Sequence, residues 1–505
     1  MPAFRYFVPP KSIDTALRDL KTKPPEYWTR RGEKHALALF RYAYDTVPAY
    51  QKFLKTHGID GTKIKTVHDF KTLPTTDKQT YLRAYPYEDL FPDRDLSRVT
   101  TISATSGSTG EPFYFPRGEE QDAQYEYIAE LFLKNQFEID KKSTLGIIGF
   151  GLGIWIGGLF TYKVMNKIAA KGYRLSLAPV GPNIPLFLKT LKKFGHLYDQ
   201  ILLMGYPPFV KDIVDEAEAH GVMWRDYNIK IVMATEAFSD NYRWYVKEKA
   251  GIKNAFADTL NIYGSVELGT MGHETPISSL IRTIGLVRSS ALEDVFSWKN
   301  RLPTLAQYHP SVTYFEEKDG EVIASGFGSS FPLIRYRLPD RGGVFSFDDM
   351  VLRLRERGID LIKKAKQEGI ADTIWRLPFV YVYDREDNML VVRGVNIYRE
   401  HIEQALTDRN LLHAVTGKFS MQKKEDARMN EYFEIHIELL KGVASSVVLK
   451  KRVQDLIVQT LCQINSEYED QYRSVPVVMT PPIILHSYHE ATYFAPGGKQ
   501  KWVKK

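Results

Sequence analysis

Apolar and polar residues follow two rhythms along this chain of 505 residues. In the N-terminal hundred residues, aromatic and leucine side chains recur at helical spacing, as between Ala36 and Leu54, which predicts a mostly helical region. From about residue 100 to 340, short β-rich runs alternate with helical segments, and the runs at 145–150 and 229–234 are predicted to be buried strands. This alternation is typical of a mainly parallel sheet covered by helices, so it predicts an α/β fold.

Two helical segments, 185–194 and 208–220, are predicted to cross over between strands of this sheet. Later in the chain, strand-forming residues at 312–325 surround Asp319 and Gly320, a pair that favours a hairpin turn. The central part of the chain is therefore expected to combine crossover units with at least one hairpin.

The pattern changes again after residue 340. The segment 351–369 carries six Lys or Arg against three Asp or Glu, which predicts one extra amphipathic helix. Its charge favours a solvated helix on the domain surface over a site for a partner. Beyond Asp387 a smaller α+β domain is predicted, with helices at 399–407 and 449–467 and a strand at 431–440.

Composition agrees with this two-domain reading. Apolar residues make up 44% of the chain and charged residues 26%, which is ordinary for a globular protein of more than one domain. We expect a large N-terminal domain, 1–386, with mainly parallel sheets and helices, and a small mobile α+β C-terminal domain, 387–505. The formal net charge of +7 indicates either a solvated basic surface or attraction for an anionic cofactor.

Several classes of protein are excluded. Cys462 is the only cysteine, so an intrachain disulfide and a cysteine-rich zinc site are ruled out. No long basic run or zinc-ligand spacing indicates nucleic-acid binding, and no apolar run is long enough to span a membrane. The N-terminus has no apolar core of signal-peptide length. A cytoplasmic monomer or homodimer is expected.

The most informative segment is TISATSGSTGEP at 101–112, which holds four hydroxyl residues and two glycines in six positions. Glycine lets backbone N–H groups approach a ligand closely, and hydroxyls add donors, a combination that suits a polyphosphate. The spacing is not that of a Walker loop. Taken alone, the segment fits a surface loop equally well.

The whole set of motifs resembles the adenylate-forming enzymes, the acyl-CoA synthetase superfamily. The loop at 101–112 is similar to that superfamily's phosphate-binding signature, and four further motifs follow in the family's order. They are YGSVE at 263–267, LIRYRLPD at 333–340, DREDNMLVVRGVN at 384–396 and GGK at 497–499.

Within the superfamily, the chain is most similar to phenylacetate–CoA ligases and to the related capsule-biosynthesis adenylating proteins. LPTTDK at 73–78 resembles the N-terminal signature of that group, and NMLVVRGVNIY at 388–398 resembles its hinge region. LPTLAQY at 302–308 is more like the capsule-type branch. The resemblance covers the chain from about residue 40 onward.

This resemblance implies a site for the phosphates of ATP. The residues expected to hold the β- and γ-phosphates are Thr105, Ser106, Gly107, Ser108, Thr109 and Gly110. Thr109 is also expected to orient the leaving group. Where family members usually have Lys, this chain has Glu111, and Lys78 is either a replacement charge or a surface lysine.

The resemblance also implies a nucleoside site. Tyr263 is expected to stack on adenine, within a turn that includes Gly264 and Ser265. Asp340 is expected to accept hydrogen bonds from the ribose hydroxyls, since a carboxylate is an acceptor only. Leu-Pro precedes Asp340 where Thr-Gly is usual, and Arg385 is expected to support the ribose or phosphate side.

Three further roles follow from the resemblance. Glu267 is the expected ligand of Mg²⁺, because a hard cation prefers carboxylate oxygen together with substrate phosphate. Lys499 is expected to bridge the carboxylate and the α-phosphate during adenylation. Asp387 occupies the hinge position about which the small domain rotates between the two half-reactions. Lys501, Lys504 and Lys505 compete with Lys499 for the lysine assignment.

The pocket for the acid is the least defined part. The glycine-rich apolar segment at 149–158 forms either a pocket wall or a close helix–strand contact. Expected contacts of the acid from there and from two later segments are Phe150, Gly151, Trp155, Glu236, Ala237, Gly269 and Thr270. His273 is either a contact of the substrate carboxylate or a structural histidine. With no positive residue clearly available for a second charge, an aryl or hydrophobic acid is favoured.

Three hypotheses follow for the reaction. The first is ATP-dependent activation of a carboxylic acid to an acyl-adenylate, followed by transfer to CoA. The second is transfer of the acyl group to an amine, hydroxyl or carrier protein, which Glu111 and the Leu338–Pro339 pair favour. The third is a non-catalytic nucleotide-binding protein, against which the presence of Lys499 argues.

Overall fold

The computed structural model describes most of the chain. The described residues are 6–104, 113–153, 156–296, 302–385, 389–406, 408, 410–411, 413–494 and 502–504. They fold into two compact units, the first covering most of the chain up to Asp384 and the second the chain from Arg385 onward with short earlier stretches. Within these residues, no helix is both long and apolar enough to cross a bilayer.

The N-terminal region is helical, as predicted. Its helices are α1 (Ile13–Thr22), α2 (Pro25–Thr46), α3 (Pro48–Thr56) and α4 (Val67–Thr72). Proline in the first turn of α2 and α3 presets the helical φ angle without removing an internal hydrogen bond. A capping box formed by Thr66 and Asp69 starts α4.

A two-stranded ribbon, β1 (Thr101–Ala104) and β2 (Tyr114–Arg117), flanks the hydroxyl-rich segment. The strands of the main sheet then follow in the chain. They are β3 (Thr144–Ile148), β4 (Leu175–Pro179), β5 (Gln200–Gly205), β6 (Ile229–Ala234), β7 (Thr259–Ser265), β8 (Gly269–His273), β9 (Thr304–Gln307), β10 (Thr313–Lys318), β11 (Glu321–Gly326), β12 (Leu333–Phe345) and β13 (Phe379–Arg385).

The helices between these strands cover the sheet. They are α5 (Glu119–Asn135), α6 (Thr161–Ala169), α7 (Ile184–Phe194), α8 (Pro207–Glu216), α9 (Asp240–Lys249), α10 (Pro276–Val287), α11 (Ser289–Phe296), α12 (Phe347–Glu356) and α13 (Leu361–Gln367). Strands β3 and β6 and crossover helices α7 and α8 lie where the sequence predicted them, which confirms the α/β class.

The described strands of the main sheet are ordered β10-β11-β12-β13-β9-β8-β7-β6-β5-β3-β4. From β4 to β7 every neighbouring pair is parallel. From β7 onward, the pairs β7–β8, β8–β9, β9–β13, β11–β12 and β10–β11 are antiparallel. The hairpin prediction is confirmed: β10 and β11 are joined by Asp319 and Gly320, both with positive φ, as a tight hairpin turn requires.

The prediction of one helix over 351–369 is wrong. The chain forms two helices there, α12 and α13, and Gly358 between them has a φ of 72°, which ends the first helix. Both helices bury apolar residues such as Met350 and Leu361 in a core shared with α10, α11 and β13. One face of each helix therefore packs into the domain core, while the charged residues lie on the remaining faces.

The second unit has α+β architecture. Its strands are β14 (Met389–Val392), β15 (Val395–Tyr398), β16 (Val415–Glu425), β17 (Glu431–Leu439), β18 (Ile483–His486) and β19 (Val503–Lys504). Its helices are α14 (Arg399–Leu406), α15 (Val447–Ile464), α16 (Ser466–Ser474) and α17 (Pro476–Met479). Four strands form one sheet in the order β18-β17-β16-β19, and apolar residues of this sheet and of α14–α17 form the unit's core.

Candidate active site

Three predicted site segments follow parallel strands at their carboxyl ends. Phe150 and Gly151 come after β3, Glu236 and Ala237 after β6, and Tyr263 lies in the last part of β7. The chain passes from β3 to β4 on one side and then to β5 on the other, so the strand order reverses at β3. In open α/β sheets, ligands bind outside the carboxyl ends at such a switch point. The candidate site therefore lies along this edge of the first unit.

Tyr263 and Asp340, which are 77 residues apart, are in direct contact. The Tyr263 hydroxyl donates a hydrogen bond to Oδ2 of Asp340 at 2.6 Å, and the Tyr263 ring stacks on Phe315. The Asp340 residue is 6% exposed. Because an O–H to carboxylate bond of this length is among the stronger hydrogen bonds in proteins, it fixes the direction of the Asp340 carboxylate.

The Leu338–Pro339 pair before Asp340 lies in a bulge of β12. Ile323 pairs with Arg337 and Glu321 with Arg341, so three residues of β12 lie opposite one residue of β11. A bulge bends a strand and redirects its side chains. This irregularity places Asp340 where Tyr263 can reach it.

The connection between β7 and β8 carries Glu267. A Cβ at Gly264 would lie 2.6 Å from the carbonyl oxygen of Gly269, so the two strands approach closely and only glycine fits. The backbone N–H of Leu268 donates to Oγ of Ser265 at 3.2 Å, which closes the turn. The half-buried side chain of Glu267 lies within this turn.

The surroundings of Glu267 fit a magnesium ion bound with substrate phosphate. Within the described residues, no cluster of three or more His, Cys, Asp or Glu could hold a metal ion alone. Mg²⁺ is usually held by one or two carboxylates together with phosphate oxygens and water. A single accessible carboxylate beside the strand that leaves the hydroxyl-rich segment meets this requirement.

Near the predicted acid wall, the two glycines of the π-helical turn Ile156–Phe160 have different surroundings. A Cβ at Gly158 would lie 2.2 Å from the carbonyl oxygen of Gly151, which requires glycine for backbone packing. A Cβ at Gly157 would meet the Phe150 side chain at an ordinary distance of 3.7 Å or more. Close packing is thus realised at Gly158, while the role of Phe150 as a wall for the acid stays a prediction.

On the other side, Phe160 connects this turn to β8. Its ring stacks on Tyr125, and its edge lies 3.9 Å from where a Cβ of Gly269 would be. Tyr125 also shares hydrogen bonds with the hydroxyls of Thr161 and Thr270. The predicted residues Gly269 and Thr270 therefore lie beside an aromatic pair.

The loop after β6 is held by its backbone. Thr235 has a φ of 75°, an unusual value for a β-branched residue, and Asn261 Nδ2 donates to the carbonyl of Glu236 at 3.1 Å. Arg282 donates to the carbonyl of Phe238 at 2.6 Å. This arrangement leaves Ala237 exposed and Glu236 6% exposed.

A fully buried charge network lies behind this loop. Arg243 contacts Asp240 at 3.1 Å and Glu274 at 2.7 Å, and Arg282 contacts the same two carboxylates at 3.1 and 2.9 Å. Neither arginine was identified from the sequence, because their partners are not marked by any motif. Removing any one of these four charged side chains would destabilise the fold, because an opposite charge would then stay buried without a partner.

His273 is structural in its surroundings. It is 3% exposed and makes edge-to-face contacts with the rings of Phe132 and Trp375. Its Nδ1 lies 2.7 Å from the carbonyl oxygen of Glu274. Burial lowers the pKa of His273 to about 4. A neutral histidine enclosed in this way fits the structural alternative.

Lys78 lies next to the strand that carries Asp340. It begins a π-helical turn, Lys78–Leu82, two residues after Thr76, and Thr76 pairs with Tyr336 of β12. The Thr76 hydroxyl also donates to the carbonyl of Ile334 at 2.8 Å. Whether Lys78 supplies charge to the phosphates stays a prediction.

The remaining predicted residues lie outside the described part of the chain. They are Thr105, Ser106, Gly107, Ser108, Thr109, Gly110, Glu111, Trp155, Asp387 and Lys499. Arg385 is the last residue of β13, and only its backbone is described. The assignments of all these residues stay predictions.

The segments on both sides of Lys499 are anchored to β16. Before it, the Tyr493 hydroxyl donates to Oε1 of Gln422 at 3.3 Å. After it, Lys504 of β19 pairs with the same Gln422, and the Met421 N–H donates to the carbonyl of Trp502 at 2.8 Å. The Trp502 ring also contacts the Arg399 guanidinium at 3.9 Å.

Comparison with known proteins adds sequence relatives. No family model matches the chain. It is similar to the phenylacetate–coenzyme A ligase of Escherichia coli (strain K12), with 21% identity over 452 residues that make up 88% of each chain. It is also similar to the ligase of the same name from Aromatoleum evansii, with 21% identity over 369 residues, 72% of each chain.

Solved structures share the fold. The 2-hydroxyisobutyryl-CoA ligase in complex with 2-HIB-AMP and CoA, in the thioesterification state, has a TM-score of 0.64 at 14% identity and covers 99% of this chain and 94% of its own. The same ligase in the postadenylation state has a TM-score of 0.54. The fold is thus that of adenylate-forming ligases.

The chain is thus similar in sequence to phenylacetate–CoA ligases over most of its length. It also shares the fold of an adenylate-forming ligase. The closer relation to the capsule-type branch stays a prediction.

Proposed function

We propose that this protein is an AMP-forming acid–CoA ligase. A substrate carboxylate oxygen attacks the α-phosphorus of ATP, the bond to the β-phosphate oxygen breaks, and pyrophosphate leaves. The sulfur of CoA, after loss of its proton, then attacks the acyl carbon, and AMP leaves with the electrons of the acyl–oxygen bond. The observation that carries the proposal is the Tyr263–Asp340 contact at the carboxyl edge of the sheet, next to the turn with Glu267.

The nucleotide is proposed to bind where Tyr263 contacts Asp340. Tyr263 packs against adenine, and Asp340, already oriented by the Tyr263 hydroxyl, accepts from the ribose hydroxyls. Arg385 supports the same pocket. The hydroxyls and N–H groups of 105–110 hold the β- and γ-phosphates, and Thr109 orients the pyrophosphate as it leaves.

Glu267 is proposed to hold Mg²⁺ against the phosphates. When bound, the ion neutralises charge that develops on the phosphate oxygens. Lys499 contributes a second positive charge at the reacting carboxylate and α-phosphate, because its compact ammonium can contact two anions in one transition state. Glu267 and Lys499 therefore act on different oxygens of the same transition state.

The acid is proposed to be aryl or hydrophobic. Among the residues near the predicted site, Phe150 is buried, and Gly269 lies beside the ring of Phe160, which stacks on Tyr125. An apolar cleft with few polar groups favours an apolar ligand. Trp155 is proposed as a further wall.

The two half-reactions are proposed to use two arrangements of the domains 1–386 and 387–505, with Asp387 as the hinge. In the first, Lys499 reaches the acid and the α-phosphate. In the second, the thiol of CoA reaches the acyl-adenylate. Hinge positions absorb the backbone rotation that such a change requires.

Acid-dependent exchange of labelled pyrophosphate into ATP tests the proposal. A panel of aryl, aliphatic and amino acids is assayed with Mg²⁺, and one aryl or hydrophobic acid is expected to support exchange. Adding CoA is then expected to yield a thioester and AMP. Exchange without thioester formation would indicate another acyl acceptor. Nucleotide binding without any exchange would indicate a non-catalytic protein.

A further inference from the structure

Arg117, the last residue of β2, is an arginine with no exposed surface. Its Nη2 donates to the carbonyl of Val266 and its Nη1 donates to the carbonyl of Phe115 at 3.3 Å. Its guanidinium lies 5.4 Å from the ring of Phe160. Among the described residues, its Nε has no hydrogen-bond partner. Such a group is expensive to bury, so its presence calls for a specific task.

The position of Arg117 joins two predicted parts of the ATP site. It lies five residues after the hydroxyl-rich segment ends at 112, and it holds the residue immediately before Glu267. Burial lowers the pKa of Arg117 to about 10, while the negative charges of Glu267 and Asp122 act in the opposite direction. The guanidinium is therefore charged at neutral pH, and Glu267 lies within its field.

The other end of the hydroxyl-rich segment is tied to the same charges. Lys163 contacts the buried carboxylate of Asp122 at 2.7 Å and donates to the hydroxyls of Thr100 and Thr101 at 3.2 and 3.1 Å. Thr101 begins β1, and the Thr100 N–H donates to the carbonyl of Arg117 at 2.8 Å. Lys163, Asp122, Arg117 and Glu267 thus form a chain of alternating charges beneath both ends of the segment.

We propose that Arg117 is a positioning residue of the adenylation site, which couples the strand leaving the phosphate-binding segment to the turn that carries Glu267. The planar guanidinium can hold two carbonyl oxygens at once, whereas a lysine ammonium cannot reproduce that fork. The inference rests on the proposed function, in which Glu267 holds Mg²⁺. Its consequence is that Arg117 matters for MgATP and not for a nucleotide that lacks the β- and γ-phosphates.

Calorimetric binding of MgATP and of AMP, without any acid, tests this role. Arg117→Lys keeps the charge and loses the fork, so MgATP is expected to bind about tenfold more weakly, with AMP binding within twofold of wild type. The matched control is Arg243→Lys, because Arg243 is also fully buried in the same unit. We expect that control to lower the urea midpoint without changing the ratio of MgATP to AMP affinity.

Lys163→Met is a second variant, which leaves the buried guanidinium of Arg117 unchanged. The Lys163 side chain is 30% exposed, so its replacement disturbs folding less than a change at Arg117. Loss of Lys163 removes a partner of Asp122, and we expect the same selective weakening of MgATP, about threefold. Equal weakening of MgATP and AMP in both variants, or no change in either ligand, would overturn the positioning role. If wild type binds neither nucleotide, the proposed function itself fails and this inference with it.

Discussion

Replacing Tyr263 with Phe removes one hydroxyl and leaves the ring in place. The hydroxyl donates to the Asp340 carboxylate at 2.6 Å, and Asp340 is 6% exposed, so water cannot easily replace the lost donor. A hydrogen bond to a charged group contributes about 1.5 to 3 kcal/mol, which corresponds to a factor of about 10 to 150 in binding. Without the Tyr263 hydroxyl, Asp340 must be oriented when the ribose binds, so part of this free energy is expected to be lost from ATP binding.

We therefore expect Tyr263→Phe to raise the KM for ATP about tenfold, with kcat changed less than threefold. The assay is acid-dependent pyrophosphate exchange at varied ATP. Tyr383→Phe is a matched control, because its hydroxyl also donates to a buried partner in the same unit, the carbonyl of Phe296 at 3.3 Å. That control should alter stability without altering the KM for ATP.

Asp340→Asn distinguishes the two ways in which this reasoning can fail. If Asp340→Asn raises the KM for ATP more than tenfold while Tyr263→Phe leaves it within twofold, Tyr263 does not orient the carboxylate. If neither variant changes the KM, Asp340 does not contact the ribose.

Three further outcomes are expected. Lys499→Ala should lower pyrophosphate exchange about 100-fold or more and spare thioester formation from a supplied acyl-adenylate, whereas Lys504→Ala should leave both intact. Gly158→Ala should cost about 1 to 3 kcal/mol of stability in urea, because its Cβ would meet the Gly151 carbonyl, whereas Gly157→Ala should be tolerated. A histidine in the unfolded chain has a pKa of about 6.5, but burial lowers the pKa of His273 to about 4, so the protein loses stability as the pH is lowered below about 6.5. His273→Gln should therefore reduce the decrease in the free energy of unfolding between pH 7.5 and pH 5 by about 2 kcal/mol.

Local patterns explain which parts of the fold the sequence revealed. The β10–β11 hairpin was predictable because Asp319 and Gly320 both adopt the positive φ that their residue types favour. The strands β3 and β6 were predictable because each is a short run made up mostly of apolar residues. The helix predicted over 351–369 failed at Gly358, whose left-handed conformation ends α12 in a local turn closed by the bond from the Ile359 N–H to the carbonyl of Leu354 at 3.0 Å.

In the candidate site, too, some residues could be predicted from the sequence and others only from the structure. The motif residues Tyr263 and Asp340 were named from sequence, and the structure brings them into contact. Arg117 was missed, because its partner Val266 is 149 residues away and nothing around β2 marks a buried charge. The antiparallel half of the sheet was likewise hidden, since pairing between β13 and β9 joins segments that are distant in the chain.

The two attachments on β16 meet at one residue. The Gln422 side chain accepts from the Tyr493 hydroxyl, and the Gln422 backbone pairs with Lys504 of β19, next to the Met421 N–H that donates to the carbonyl of Trp502. A change in the path of β16 at Gln422 would therefore displace Tyr493 and β19 together, so these two attachments form one structural unit rather than two independent ones.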